Sequence, residues 1–156
     1  MATSIENLSS DLIWEVTRNQ NAFLVKRKQS GGIQLSRDPL NLVNKHSRKY
    51  AGYANEKAIG IHADDNTISF VTKVASKTNK PASVHHKTSF AASTPSRKVY
   101  RNVVSSTAKK GYRADLRAEA VARASAIKRS QRDVKDTKRV TKLRGAKAKK
   151  AAAESS

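Results

Sequence analysis

The residues of this sequence that could do chemistry are its runs of cations, and the chemistry they offer is the capture of phosphate. Four clusters stand out: Lys26-Arg27-Lys28, Lys45-His46-Ser47-Arg48-Lys49-Tyr50, Arg97-Lys98 with Arg101, and the stretch that opens at Arg113 and continues through Arg117, Arg123, Lys128 and Arg129. Phosphate oxygens need positive donors, and the arginine fork meets two of them at once. Tyr50 and Tyr112 sit beside these cations and are candidates for stacking on bases or riboses. Other chemistry is thin. His85-His86 lies in a Lys/Ser-rich stretch, and adjacent histidines there do not make a metal site. Asp64-Asp65 is explained by a turn. There is no phosphate-binding glycine loop, no GxSxG and no HExxH. With no Cys, thiolate zinc, iron–sulfur and disulfide chemistry are excluded. Neither catalysis nor a cofactor nor a metal is expected.

The charge behind those clusters is large. Lys and Arg number 32 and Asp and Glu 12, a net +20 on 156 residues. A compact monomer with that charge repels itself, so a polyanion is the expected partner. The charge is unevenly placed. Residues 1–75 hold ten basic and seven acidic residues; residues 76–156 hold 22 and five. Leu, Ile, Val and Phe run the other way, 19 in the first segment and 11 in the second. The first half can therefore bury a core, whereas the second is expected to lie on something else and to be poorly protected from hydrogen exchange without it. No apolar run is long enough to span a membrane, and the acidic N-terminal stretch is unlike a signal peptide.

The elements that must position the cations follow from local patterning. Ser10–Val16 reads as a short helix capped by Ser9 or Ser10, with Asp11 in its first turn, although Leu12, Trp14 and Val16 also alternate as in a strand. Trp14 is the expected core anchor. Residues 22–27 read as a strand, Gly31-Gly32 as a loop, and Asp38-Pro39 as a turn leading into an extended Leu40-Asn41-Leu42. Residues 58–62 and 67–74, separated by Asp64-Asp65-Asn66, read as a hairpin with Ile68, Phe70 and Val74 on one face. Residues 76–95 read as a linker. Thr94 as cap and Pro95 as first helical residue start a helix that Lys109-Lys110-Gly111 ends. A second helix spans about 114–131, with a thin apolar stripe of Leu116, Ala120, Ala124 and Ile127 that is expected to lie on another protein or on the chain's own sheet. Beyond it lies a low-complexity basic tail, expected to be disordered when free.

Three blocks resemble a known family. Leu12-Ile13-Trp14-Glu15-Val16-Thr17-Arg18-Asn19 followed by Phe23-Leu24-Val25-Lys26-Arg27 looks like the start of the eukaryotic large-subunit ribosomal protein family numbered twenty-eight. Asp38-Pro39-Leu40-Asn41-Leu42 through Lys45-His46-Ser47-Arg48-Lys49-Tyr50-Ala51-Gly52, and Tyr112–Arg117 followed by Arg123–Ile127 and Arg129-Ser130-Gln131, resemble the same family in the same order. Ala114 departs from its pattern, where Pro is expected. The resemblance implies a non-enzymatic structural protein bound to large-subunit ribosomal RNA, with other large-subunit proteins as neighbours. It also implies a cytosolic ribosome reached through nucleolar assembly. A related biogenesis factor shares the N-terminal domain, but the missing cysteines and the basic tail speak against it. The Lys/Ala-rich 146–153 resembles a linker-histone tail, so a chromatin protein is the rival reading; residues 10–75 lack its winged-helix pattern.

The expected architecture is α+β. A small N-terminal sheet module with a short helix and a β-hairpin (1–75) is followed by a linker (76–95), two basic helices (96–131) and a basic tail (132–156). The expected RNA contacts are Lys26, Arg27, Lys45, Arg48, Lys49, Tyr50, Arg97, Arg101, Tyr112, Arg113, Arg117, Arg123, Lys128 and Arg129. Neither a small-molecule substrate nor a homo-oligomer is expected.

Overall fold

The computed structural model describes residues 8–78, 80–133 and 144–154. The fold is α+β. In chain order it comprises helix α1 (Ser10–Thr17), strand β1 (Leu24–Lys26), a helical turn α2 (Gln29–Gly32) and β2 (Gln34–Ser36). There follow β3 (Ile59–Asp64), β4 (Thr67–Lys73), β5 (His85–Phe90), α3 (Ser96–Ser106), α4 (Arg117–Ser130) and α5 (Ala146–Glu154). β1 and β2 form an antiparallel ribbon, and β3, β4 and β5 an antiparallel sheet in that order. The turn between β1 and β2 needs its glycines, because Gly31 and Gly32 adopt φ of 81° and 78°.

The expected hairpin is β3–β4, closed by Asp65 at φ 45° and by the Thr67 hydroxyl donating to the Asp64 carbonyl at 2.9 Å. Its register pairs Ile61 with Phe70 and Ala63 with Ile68. Because side chains alternate along a strand, Ile59, Ile61, Ile68 and Phe70 share one face, and all four are buried. Phe90 of β5 joins them.

The segment expected as a linker is thus corrected: β5 lies inside it, paired with β4 from Ile68↔Phe90 to Lys73↔His85. Its sequence, His85-His86-Lys87-Thr88-Ser89-Phe90, buries one residue, and main-chain bonding rather than apolar alternation makes it a strand. A polar, lysine-bearing edge also discourages pairing with other chains.

Of the two expected seats for the thin apolar stripe of the C-terminal helices, another protein or the chain's own sheet, the structure shows the sheet. α3 and α4 pack on each other, and α4 lies against β3. Val99 and Val103 of α3, together with Leu116, Ala120 and Ala124, are buried in one cluster with the sheet. The stripe is small but fully used, since alanine lets the α4 backbone come close to the strands. Gln131 fixes the far end, its amide donating to the Asp65 and Thr67 carbonyls at 3.1 and 3.0 Å. The low count of large aliphatics misled because close packing of alanines needs few of them.

Smaller differences are local. Thr94 is not the cap of α3. Pro95 occupies that position, and no side-chain bond caps the helix. α3 ends at Ser106 because Thr107 leaves the helical region, its buried hydroxyl bonded back to Val103 at 2.7 Å. A 3₁₀ turn, Ala108–Lys110, follows and ends at Gly111 in the left-handed conformation. Another, Ala114–Leu116, leads into α4. Trp14 is a half-buried partner of His46 and Tyr53, with ring centroids 4.9 and 6.5 Å away, and lies outside the main core cluster. α1 carries the expected Ser9 cap, whose hydroxyl accepts from Leu12 N at 3.1 Å. Of the tail, residues 134–143 and 155–156 lie outside the described residues, and Ala146–Glu154 is a helix instead of an unstructured run, as its alanines favour.

The segment between β2 and β3 is irregular yet rigidly organised by two buried polar residues. Asp38 accepts from Leu40 N at 2.9 Å with one oxygen and from Tyr53 N at 3.0 Å with the other. Asn41 accepts from Val43 N and Asn44 N and donates to the Lys45 carbonyl. These bonds replace the extended stretch expected at 40–42 with a folded loop that buries Leu40 and Leu42. Gly52 is where this loop closes. A β-carbon there would stand 2.3 Å from the Leu40 β-carbon and 2.7 Å from its carbonyl oxygen.

Two measurements check this packing. Gly52→Ala is expected to destabilise the protein by about 1–3 kcal/mol, the usual range for an overfilled site, in urea unfolding. Amide exchange on the isolated protein is expected to show the Ala120 and Ala124 amides protected to the same level as those of β4, and unprotected α4 amides would contradict the shared core.

Candidate nucleic-acid interface

The basic clusters separate into cations that hold the fold and cations that face outward. Arg48 belongs to the first group. Its guanidinium pairs with Asp11 at 2.7 Å, donates to the Ser10 hydroxyl at 2.8 Å and bonds Asn55 Oδ1. One arginine thereby ties the start of α1 to the loop that precedes β3. Arg113 does the same for the helices. Sitting at φ 49°, it forks onto Asp115 at 2.9 and 2.8 Å and donates to the carbonyls of Lys57 and Lys49 at 2.9 and 2.8 Å. Both guanidinia are engaged within the chain, where they act as intramolecular clamps.

The two tyrosines expected to stack on bases are likewise internal. The Tyr112 hydroxyl accepts from Ala58 N at 3.1 Å and donates to the Lys73 carbonyl at 2.6 Å, bridging the entry to β3 and the end of β4. Burial pushes its phenol above the ordinary value. Tyr50 packs against the core and donates to Glu119 Oε1 at 3.0 Å. Lys49 meets the same oxygen at 3.0 Å, and that bond raises the ammonium above its usual range. Lys26 donates to the Asn19 carbonyl at 3.1 Å, Lys128 to the Ala92 carbonyl, and Arg123 reaches the Ile61 carbonyl at 3.4 Å.

The outward group contains Arg27, Lys45, Arg97, Arg101, Arg117 and Arg129, all exposed and without a side-chain partner among the described residues. Lys28, Lys98, Lys109 and Lys110 share that condition. In the sequence, Lys109 and Lys110 carry only a helix-stop signal. The signal that could have added them is their position beyond the last buried residue of the helix. α3 is the clearest case. Val99 and Val103 point into the core, so Arg97, Lys98 and Arg101 project from the opposite side. Its first turn holds no acidic residue and no side-chain cap. Cations at a helix N-terminus oppose the macrodipole, whereas an anion there is favoured.

A groove of about 640 Å³ on the other side of the sheet, lined by Phe23, Leu40, Tyr53, Val71, Val84 and His85, carries titratable groups with internal roles. Lys73 donates to the Asn55 carbonyl at 2.8 Å, and burial lowers its ammonium. Burial, and then Arg123, pushes His62 below the ordinary imidazole value. Among the described residues no three His, Asp or Glu side chains gather as metal ligands would, and no helix is long and apolar enough to cross a membrane.

Comparison with known proteins adds an independent observation. Residues 12–130 match the model of the Ribosomal L28e protein family. The chain is 42% identical over 131 residues to a fission yeast (Schizosaccharomyces pombe) protein named "Large ribosomal subunit protein eL28", covering 83% of this chain and 97% of that one. It is 34% identical over 128 residues to the protein of the same name from Dictyostelium discoideum, with 82% and 92% covered. Over 67 residues it is 40% identical to the Caenorhabditis elegans protein of that name, with 42% and 52% covered.

Tyr112→Phe removes a bridging hydroxyl and is expected to lower the stability of the isolated protein by about 1–2 kcal/mol in denaturant titration. The carboxylates give a pH signature. Lys87, and then the Ser69 hydroxyl, hold Asp64 below the usual carboxylate range; Arg113 does so for Asp115; and for Glu119 its own backbone N–H acts first and Lys49 next. Folded values below the unfolded ones mean stabilisation that is complete above the ordinary carboxylate range and lost as pH falls through the folded values. Thermal melts are therefore expected to drop on the acid side of pH 4 to 5, and Asp115→Asn is expected to blunt that drop.

Proposed function

The chain belongs to the ribosomal L28e protein family, and on that premise we propose that it is a structural component of the large ribosomal subunit that lies on ribosomal RNA through phosphate contacts. The observation that carries this reading is the outer side of α3. Arg97, Lys98 and Arg101 stand there exposed and unpaired among the described residues, with Arg97 and Lys98 in the first turn, where a cation opposes the helix dipole. Such an arrangement destabilises the free protein and becomes favourable once a polyanion lies across it.

Around this centre, Arg27, Lys28 and Lys45 on the ribbon side, and Arg117 and Arg129 on α4, extend the contact with the backbone. Lys49, Lys128 and Arg123 serve the fold first and reach RNA only at its margins. The two tyrosines that stand beside cations are held by internal hydrogen bonds, so recognition rests on backbone charge and shape rather than on stacking. No residue of this surface acts as a catalyst. The neighbours are other large-subunit proteins, and the place of work is the cytosolic ribosome after assembly in the nucleolus.

Replacing Arg97, Lys98 and Arg101 together with Gln is expected to leave the stability of the free protein unchanged or slightly raised. The same change is expected to flatten the salt dependence of binding to large-subunit ribosomal RNA, lowering the log–log slope by about 2–3; fluorescence anisotropy over a salt series measures it. An unchanged slope would place the phosphate contacts elsewhere. Sedimentation of a lysate separates the rival reading: the protein is expected with large subunits, and recovery only with nuclease-treated chromatin would favour the DNA-binding alternative.

A further inference from the structure

The outer face of α1 is built unlike the rest of the surface. Among the described residues four large apolar side chains are exposed, and three of them, Leu8 (44%), Leu12 (49%) and Val16 (72%), recur every fourth position along α1 and its lead-in. The inner face of α1 is turned to the protein through Trp14, which meets His46 and Tyr53, and through the Thr17 hydroxyl, 3.2 Å from the Tyr53 hydroxyl. At 3.6 residues per turn, Leu12 and Val16 lie opposite Trp14. Asp11 and Glu15 form the adjacent row, with side chains 81% and 59% exposed. Asp11 meets Arg48, and Glu15 meets Arg18, each through one oxygen. Their second oxygens, Asp11 Oδ2 and Glu15 Oε1, accept from no donor among the described residues.

The charge of this end is the reverse of the whole. Residues 1–17 hold Glu6, Asp11 and Glu15 and no Lys, Arg or His, whereas the other 139 residues hold 32 Lys and Arg against nine Asp and Glu. An apolar row beside free carboxylate oxygens repels phosphate and attracts ammonium and guanidinium. A second copy of this chain fits poorly, because a two-fold contact would set the same two carboxylates of each copy against each other. The face is also preorganised, since the Ser9 cap, the Arg48–Asp11 pair and the Trp14 contacts fix α1 before anything binds.

We propose that the α1 face formed by Leu8, Leu12 and Val16 beside Asp11 and Glu15 is a docking surface for another protein, and that it takes a segment carrying aliphatic side chains together with Lys or Arg. The inference goes beyond the RNA-binding reading and does not depend on which RNA is bound. An apolar row of this kind on an otherwise charged surface marks an interaction site.

Site-specific photocrosslinking tests it in intact cells that contain the chain's own partners. The full chain carries p-benzoylphenylalanine in place of Val16 in one variant and of Leu12 in another. Circular dichroism confirms that each variant keeps its fold. The expected result is an adduct with one protein, at a peptide holding aliphatic residues and at least one Lys or Arg, with a yield that falls about fivefold or more when Glu15→Lys is added. An adduct with RNA, with a second copy, with the chain's own residues or with a peptide lacking a cation would overturn the proposal. So would an unchanged yield with Glu15→Lys, or no adduct from either position. Sedimentation with large subunits is read separately, so loss of the ribosomal reading and loss of this one are distinguishable.

Discussion

The helix-facing side of the β3–β4–β5 sheet must be covered, and most of what is distinctive in this chain follows from how it is covered. Ile59, Ile61, Ile68, Phe70 and Phe90 form an apolar surface that strands of this length cannot hide by themselves. The cover comes from two helices whose remaining surface is cationic. Such helices can give the core only a narrow stripe, and they give it Val99, Val103, Leu116, Ala120 and Ala124. The small side chains are the means by which a highly charged segment enters a core: they bring the backbone close and leave Arg97, Lys98, Arg101, Arg117 and Arg129 pointing away.

The clamps between the parts obey the same constraint. Tyr112 bridges the ends of two strands, Arg113 reaches across to Lys49 and Lys57, and Lys49 and Tyr50 converge on Glu119 of α4. Arg48 repeats the device for α1. A chain with so many arginines can use two of them as multidentate ties between irregular segments, where a fork with five donors satisfies carbonyl and carboxylate oxygens together. The RNA-facing reading is accordingly assigned to the cations that remain outward.

Much of this was legible in the residues. The hairpin, the serine cap of α1 and the Leu116–Ala120–Ala124 stripe all follow from local pattern, because their causes are local; the end of α3 does not, since it falls at Ser106 and not at Gly111. β5 was not legible, since its strand character comes from the free edge of β4 and not from His85-His86-Lys87. The loop held by Asp38 and Asn41 was visible as a turn but not as a rigid body, because its partners Tyr53 and Lys45 are recognised only once the chain has folded. The same limit governs the cations. Sequence marks Arg48, Arg97 and Arg113 alike as positive. Only the positions of Asp11, Asn55, Asp115 and the Lys57 carbonyl reveal that two of the three are engaged.

The separation in sequence between the sheet and its cover also sets a timetable for synthesis. Phe70 leaves the ribosome 54 residues ahead of Ala124, so at roughly 5–20 residues per second the hairpin's apolar face waits several seconds for its second helix. During that interval the nascent chain depends on what emerges in between. The first segment to arrive is the polar edge strand, which closes the exposed side of β4 against stray pairing before the helices can fold down.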